Sequence, residues 1–165
     1  IFQDLVDLGI TTPSQLVCLG SSNGGLVTAL ACIRHPGLLR AAVLNNALLD
    51  LSSMERSEAG RGWVEEYGSW ATDSAVMRSY SPIYQLPDDC RALPEFLICT
   101  QLNDDRINPC QARDFAAAVI SRGGRAELIQ GSGSHRGPMH CAAGADLLAK
   151  IFLFLHSIVT KEPKC

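Results

Sequence analysis

The chain has 165 residues, of which 47% are hydrophobic and 19% charged, and its net charge is −3. That size suits one compact domain or part of one, and the composition excludes a disordered chain. Without a basic excess there is no footprint for nucleic acid, and no apolar run approaches the roughly 20 residues that span a bilayer, so neither nucleic acid nor membrane is an expected partner.

Ile1, Phe2, Leu5, Val6 and Leu8 follow a helical period that Gly9 stops. The chain thus opens inside a helix without a preceding cap, so an N-terminal portion is expected to be missing. A short apolar run at 15–19, behind a Thr-Thr-Pro turn, predicts a buried parallel strand. A helix is predicted over 24–33, ended by His35-Pro36-Gly37. Residues 41–44 read as a second strand with Asn45-Asn46 as its turn-like exit, and 50–94 as a mixed stretch of short helices and turns. A third strand is expected at 96–100, a helix at 111–121, a fourth strand at 126–129, a glycine-rich loop at 130–138 and a closing helix at 142–159. Alternating strands and helices imply a mostly parallel sheet flanked by helices, an α/β fold. The cysteines, Cys18, Cys32, Cys90, Cys99, Cys110, Cys141 and Cys165, form an odd set without C-x-x-C. They predict free thiols in a reducing, cytoplasmic setting rather than a zinc site or disulfide framework. The N-terminus carries no signal-peptide pattern.

Gly20-Ser21-Ser22-Asn23-Gly24 fits G-x-S-x-G between an apolar strand and a helix, the setting of a nucleophile elbow. The turn lifts one serine hydroxyl clear of the sheet, and Ser22 alone has glycines two residues before and after it. Those glycines are expected where the turn leaves no room for side chains. The Asn23 N–H then points at a developing oxyanion, aided by the helix dipole. A phosphate loop is the rival reading, but no lysine follows the glycines.

In this fold the acid and then the histidine follow the serine, each after a strand. Asp104-Asp105-Arg106 lies beyond the third strand and His135 beyond the fourth. A buried carboxylate would fix the imidazole tautomer, and the imidazole would face the serine. His35 precedes the Pro-Gly break after a helix and His156 lies in the closing helix, and both read as structural. His140 competes with His135, which is preferred because it sits in the glycine-bearing loop.

With these residues in hand, the chain resembles the catalytic domain of the prolyl oligopeptidase family of serine peptidases. Gly20-Ser21-Ser22-Asn23-Gly24-Gly25 is similar to the family's G-G-S-N-G-G elbow, with Ser21 in place of the second glycine. Asn103-Asp104-Asp105-Arg106-Ile107-Asn108-Pro109 resembles its D-D-R-V-x-P loop, and Ser134-His135-Arg136-Gly137 stands where G-H-G is usual. Trp63-Val64-Glu65-Glu66-Tyr67-Gly68 resembles its W-x-x-x-Y block, with weaker support from Tyr80-Ser81-Pro82 and the run at 9–13. The resemblance implies a partial α/β-hydrolase fold and a triad of Ser22, Asp104 and His135, with Asn23 as oxyanion donor. It also implies substrate binding by Trp63, Tyr67, Arg106 and Ile107, with Trp63 stacking on a substrate proline and Arg106 holding a substrate carbonyl. Read without the family, Trp63 and Tyr67 are ordinary core aromatics.

The resemblance spans nearly the whole chain but only the latter, C-terminal part of the family's catalytic domain. It implies that the β-propeller, the first sheet strands and the tyrosine supplying a second oxyanion donor are absent. Arg136 beside the base and Gln101 before the acid loop replace smaller residues and are expected to disturb the geometry. The expected function is a serine oligopeptidase that hydrolyses short peptides after proline through an acyl-enzyme, without metal or organic cofactor. The missing N-terminal part of the same domain is its expected partner, and the isolated chain is expected to be inactive. The alternatives are an inert fragment serving as an interaction piece, and an α/β-hydrolase esterase.

Overall fold

A computed structural model describes residues 1–135 and 142–160. Four parallel strands lie in sequence order across one sheet: β1 (Val17–Ser21), β2 (Ala41–Asn45), β3 (Glu95–Gln101) and β4 (Ala126–Gly131). The helices are α1 (Phe2–Asp7), α2 (Asn23–Arg34), α3 (Glu58–Arg61), α4 (Val64–Tyr67), α5 (Trp70–Arg78), α6 (Pro82–Gln85), α7 (Cys110–Ser121) and α8 (Ala142–Thr160), with a 3₁₀ turn at Leu51–Arg56. The predicted α/β class and parallel sheet match this architecture.

Alternation along the strands separates two apolar faces. Ala42 and Leu44 of β2 and Phe96 and Ile98 of β3 face α2 and α7, where Phe115 meets Phe96 edge to face at 5.7 Å. Val43, Leu97 and Cys99 face the other way, onto Ile151 of α8. With one helical layer on each face, β2 is apolar over 41–44 and β3 over 96–99, as parallel strands buried on both faces require.

Boundaries differ from expectation by one or two residues. Strand β1 starts at Val17 because the Gln15 and Leu16 N–H groups are taken by Thr12 O in a turn, and it continues through Gly20 to Ser21. Gln130 and Gly131, read as loop, extend β4 because they pair with Thr100 and Gln101. Gly9 ends the opening helix with φ 68°, as anticipated.

The long excursion from β2 to β3 matters most for function. Its short helices pack Trp63, Val64, Tyr67, Trp70 and Tyr80 against Leu26, Leu48, Met54, Met77 and Ile107. This third cluster brings the excursion to the carboxyl ends of the strands, where open α/β sheets place their ligand crevice. Among the described residues no helix is long and apolar enough to cross a membrane.

Candidate active site

Each strand delivers one element of the site at its carboxyl end. Ser22 follows β1 with φ 54° and ψ −123°, a backbone conformation that a non-glycine residue holds only when its surroundings enforce it. Here the enforcement is visible. Ser22 N–H donates to Asn45 O (3.0 Å), while Ser22 O accepts from Leu48 N–H (3.1 Å) and Gly25 N–H (3.0 Å). The strain projects the hydroxyl off the sheet and starts α2 at Asn23. As the first residue of that helix, Asn23 has no intrahelical acceptor for its N–H.

The glycines of the elbow have different duties from those expected. A Cβ on Gly20 would stand 2.3 Å from Gly24 O and 2.4 Å from Thr28 Oγ1, so the residue two before Ser22 must be glycine. A Cβ on Gly24 would meet nothing within 4 Å, whereas one on Gly25 would lie 2.3 Å from Ala47 Cβ. The helix therefore crosses closest to the β2 exit at Gly25, and the expected steric need at Gly24 is corrected to Gly25.

Asp104 and His135 meet Ser22 in one line. His135 Nε2 is 3.1 Å from Ser22 Oγ, and His135 Nδ1 is 2.8 Å from Asp104 Oδ2. The Asp104 side chain is fully shielded and that of His135 is 10% exposed. The other carboxylate oxygen, Oδ1, accepts from the N–H groups of Arg106 and Ile107, both at 2.9 Å. Asp104 thus closes its own turn with one oxygen and keeps the other for the imidazole, while Asp105 is exposed. With a carboxylate on Nδ1, the neutral ring carries its proton there and presents the Nε2 lone pair to Ser22. His35 and His156 are exposed and apart from this group. The competing His140, and Arg136, lie outside the described residues.

Beside Ser22 opens a pocket of about 220 Å³. Ser22 and Asn23 line it together with Trp63, Tyr67, Leu48 and Ile107, and Glu66 and Arg106 complete the wall. Trp63 and Tyr67 are half-buried against the third cluster, so they serve as core and as pocket wall at once. Tyr80 Oη donates to Tyr67 O, and Ser57 Oγ donates to Arg106 O (2.7 Å), tying the excursion to the acid loop. Burial, followed by the Glu66 carboxylate, pushes the Tyr67 phenol above its ordinary range. Leu48 and Glu66 were not singled out from the sequence; Leu48 follows the Asn-Asn turn closely enough for its position beside the elbow to be inferred.

Gln101, expected to disturb the site, is instead buried, with its side-chain oxygen accepting from Gly133 N–H at 2.8 Å. Five cysteines, Cys18, Cys32, Cys90, Cys99 and Cys110, are free thiols. Among the described residues no cluster of three His, Cys, Asp or Glu side chains could hold a metal ion.

A parallel sheet with a strained serine after one strand and a histidine–carboxylate pair after two others defines an α/β-hydrolase arrangement. The sequence profile of the prolyl oligopeptidase family matches residues 1–162, and the chain belongs to that family. An uncharacterized peptidase of Sinorhizobium fredii is 37% identical over 125 residues, covering 74% of this chain and 17% of its own length. The prolyl endopeptidase of Dictyostelium discoideum is 29% identical over 117 residues, 70% of this chain and 15% of its own. A solved structure from a study of two prolyl endopeptidases superimposes with a TM-score of 0.90 at 30% identity, over 98% of this chain and 24% of that one. The chain therefore spans a minor part of the length of the relatives it matches.

Proposed function

We propose that this chain carries the catalytic constellation of a serine oligopeptidase that cleaves short peptides after proline. The Ser22–His135–Asp104 line, with both hydrogen bonds at working distance, is the observation that carries the reading. Ser22 Oγ attacks the scissile carbonyl carbon while His135 Nε2 takes the hydroxyl proton, and Asp104 holds Nδ1–H and stabilises the imidazolium. The Asn23 N–H donates to the oxyanion. When the tetrahedral adduct collapses, the C–N bond breaks and His135 returns the proton to the leaving amine. Water, deprotonated by His135, then hydrolyses the Ser22 ester.

The pocket supports proline as the residue before the cut. A proline ring has no N–H to satisfy and is recognised by shape and aromatic contact, which Trp63 and Tyr67 offer beside Ser22. Arg106 on the same wall is placed to donate to a peptide carbonyl, a contact for which a lipid ester has no need. We assign the chain to the C-terminal portion of a larger catalytic domain, a reading supported by the 24% of the solved prolyl endopeptidase that it covers. On this view the preceding portion is its partner and supplies a second oxyanion donor. Loss of one such donor typically costs about 10²–10³ in kcat, so the 165 residues alone are expected to turn over little. The free thiols suit a reducing cytoplasm.

The test is hydrolysis of matched chromogenic dipeptides ending in Pro, Ala or Arg, by the chain joined to its preceding portion and by the Trp63→Ala variant of the same protein. Preference for Pro that shrinks in the variant, by roughly fivefold for a lost stacking term of about 1 kcal/mol, is the expected outcome. Principal cleavage after Arg would refute the proline pocket.

A further inference from the structure

Beyond the ends of β3 and β4 the acid-bearing and base-bearing loops remain stitched together. Leu102 N–H donates to Gly131 O (2.8 Å) and Asn103 N–H to Gly133 O (3.1 Å). Side chains extend this seam: Asn103 Nδ2 donates to Ser132 O (2.7 Å), and Gln101 Oε1 accepts from Gly133 N–H (2.8 Å). Gln101 is 2% exposed, and its pairing partner across the sheet is Gly131. A Cβ on Gly131 would stand 2.3 Å from Gln101 Oε1, so the carboxamide fills the space that a side chain there would need.

The same loop is also gripped from the β2 exit. Asn46 is 2% exposed, sits at φ 45° and is anchored by its N–H on Cys99 O (2.8 Å). Asparagine is one of the few residues that tolerates this left-handed conformation. Its Nδ2 donates to His135 O at 2.8 Å. The neighbouring Asn45 O receives Ser22 N–H, so one turn at the β2 exit holds the backbones of both Ser22 and His135.

We propose that Gln101 and Asn46 are positioning residues, which fix the backbone of residues 133–135 at two points, Gly133 N–H and His135 O, and so set the His135 imidazole between Asp104 and Ser22. Neither touches the reacting atoms, and the assignment rests on the reading of His135 as the base. The need for such a grip follows from geometry. His135 must satisfy Asp104 at 2.8 Å and Ser22 at 3.1 Å simultaneously from a loop rather than from a regular element. A displacement of about 1 Å typically costs on the order of 10²-fold in rate. The amide oxygen and nitrogen are also used selectively: Gln101 accepts from an N–H, whereas Asn46 donates to a carbonyl.

The experiment compares the full chain with Gln101→Leu, which removes the acceptor at similar volume, and Gln101→Glu, which keeps an accepting oxygen. Three signals are read: amide exchange at Gly133, the downfield proton resonance of the His135 Nδ1–H bonded to Asp104, and the reaction of Ser22 with a fluorophosphonate probe. In Gln101→Leu, Gly133 exchange should rise about tenfold, as a lost buried hydrogen bond implies. The downfield proton should fade, and the maximal probe reaction rate should fall about 10²-fold with little change in half-saturating probe concentration. Gln101→Glu should recover most of each signal. Unchanged Gly133 exchange and an intact downfield proton in Gln101→Leu would overturn the assignment. Asn46→Gly, which tolerates φ 45° but removes the donor to His135 O, tests the second grip and serves if Gln101→Leu does not fold: the downfield proton and the probe reaction should both weaken, and an unchanged pair of signals would count equally against the assignment. A wild-type chain lacking both the downfield proton and probe reaction would instead refute the proposed function, and this assignment with it.

Discussion

Alanine substitutions at two adjacent glycines separate the packing of the elbow from its sequence pattern. The G-x-S-x-G motif contains Gly24, yet a Cβ there enters open space, whereas at Gly25 it would come within 2.3 Å of Ala47 Cβ and 2.9 Å of Ala47 Cα. Carbon atoms in contact prefer about 3.5–4.0 Å, so α2 must retreat from the β2 exit by more than an ångström or distort. Overpacking of this kind costs about 1–3 kcal/mol, and more where backbone is the obstacle. Replacing a helical glycine returns roughly 0.5–1 kcal/mol in either variant. The expected net changes are thus a loss of ~1–2 kcal/mol for Gly25→Ala and a gain of up to ~1 kcal/mol for Gly24→Ala. Urea unfolding followed through Trp63 and Trp70 fluorescence reads these values. With a slope near 2 kcal/mol per molar, the Gly25→Ala midpoint should fall by about 0.5–1 M and the Gly24→Ala midpoint should rise slightly. Equal midpoints, or the reverse order, would refute the packing argument.

Asp104→Asn keeps the Oδ1 acceptor for Arg106 and Ile107 but disfavours the imidazole tautomer that presents Nε2 to Ser22. Its probe reaction rate should drop by about 10³–10⁴ while the fold survives, whereas Asp105→Asn, at an exposed position, should change little. Burial pushes the Cys32 and Cys99 thiols up to about 12, so both remain protonated at pH 8 in the native state. Among the five described cysteines, iodoacetamide at that pH should modify exposed Cys110 first and reach Cys32 and Cys99 only after denaturation, as peptide mass mapping would show.

The order of elements was legible because the local signals agree with one another. Apolar runs at β2 and β3 are long enough to mark strands buried on both faces, and Gly9, Pro36 and Gly123 punctuate the helices where they end. The proximity of Ser22, Asp104 and His135 could be anticipated because parallel strands send every following loop to the same sheet end. Strand limits were less legible, since pairing across the sheet decides where β4 stops and periodicity does not see a partner. The misreadings share that origin. Gly24 and Gly25 are indistinguishable as letters, and only the path of α2 across Ala47 tells which one is needed. Gln101 looked intrusive because its acceptor role depends on Gly133, far along the chain and brought near by β4. Trp63 and Tyr67 read both as core and as pocket because they are both, packed against the third cluster and lining the crevice.

The central claim is that Ser22 is an activated nucleophile, and covalent capture tests it most directly. The protein is treated with a fluorophosphonate, digested and mapped by mass spectrometry, with Ser22→Ala and His135→Ala alongside. Tryptic digestion should yield a single phosphonylated peptide, ending at Arg34 and containing the Gly20–Gly24 elbow, with the adduct on Ser22; it should be absent from Ser22→Ala and formed several orders of magnitude more slowly in His135→Ala. Adduct on Ser21, or labelling that survives unchanged in either variant, would contradict the claim.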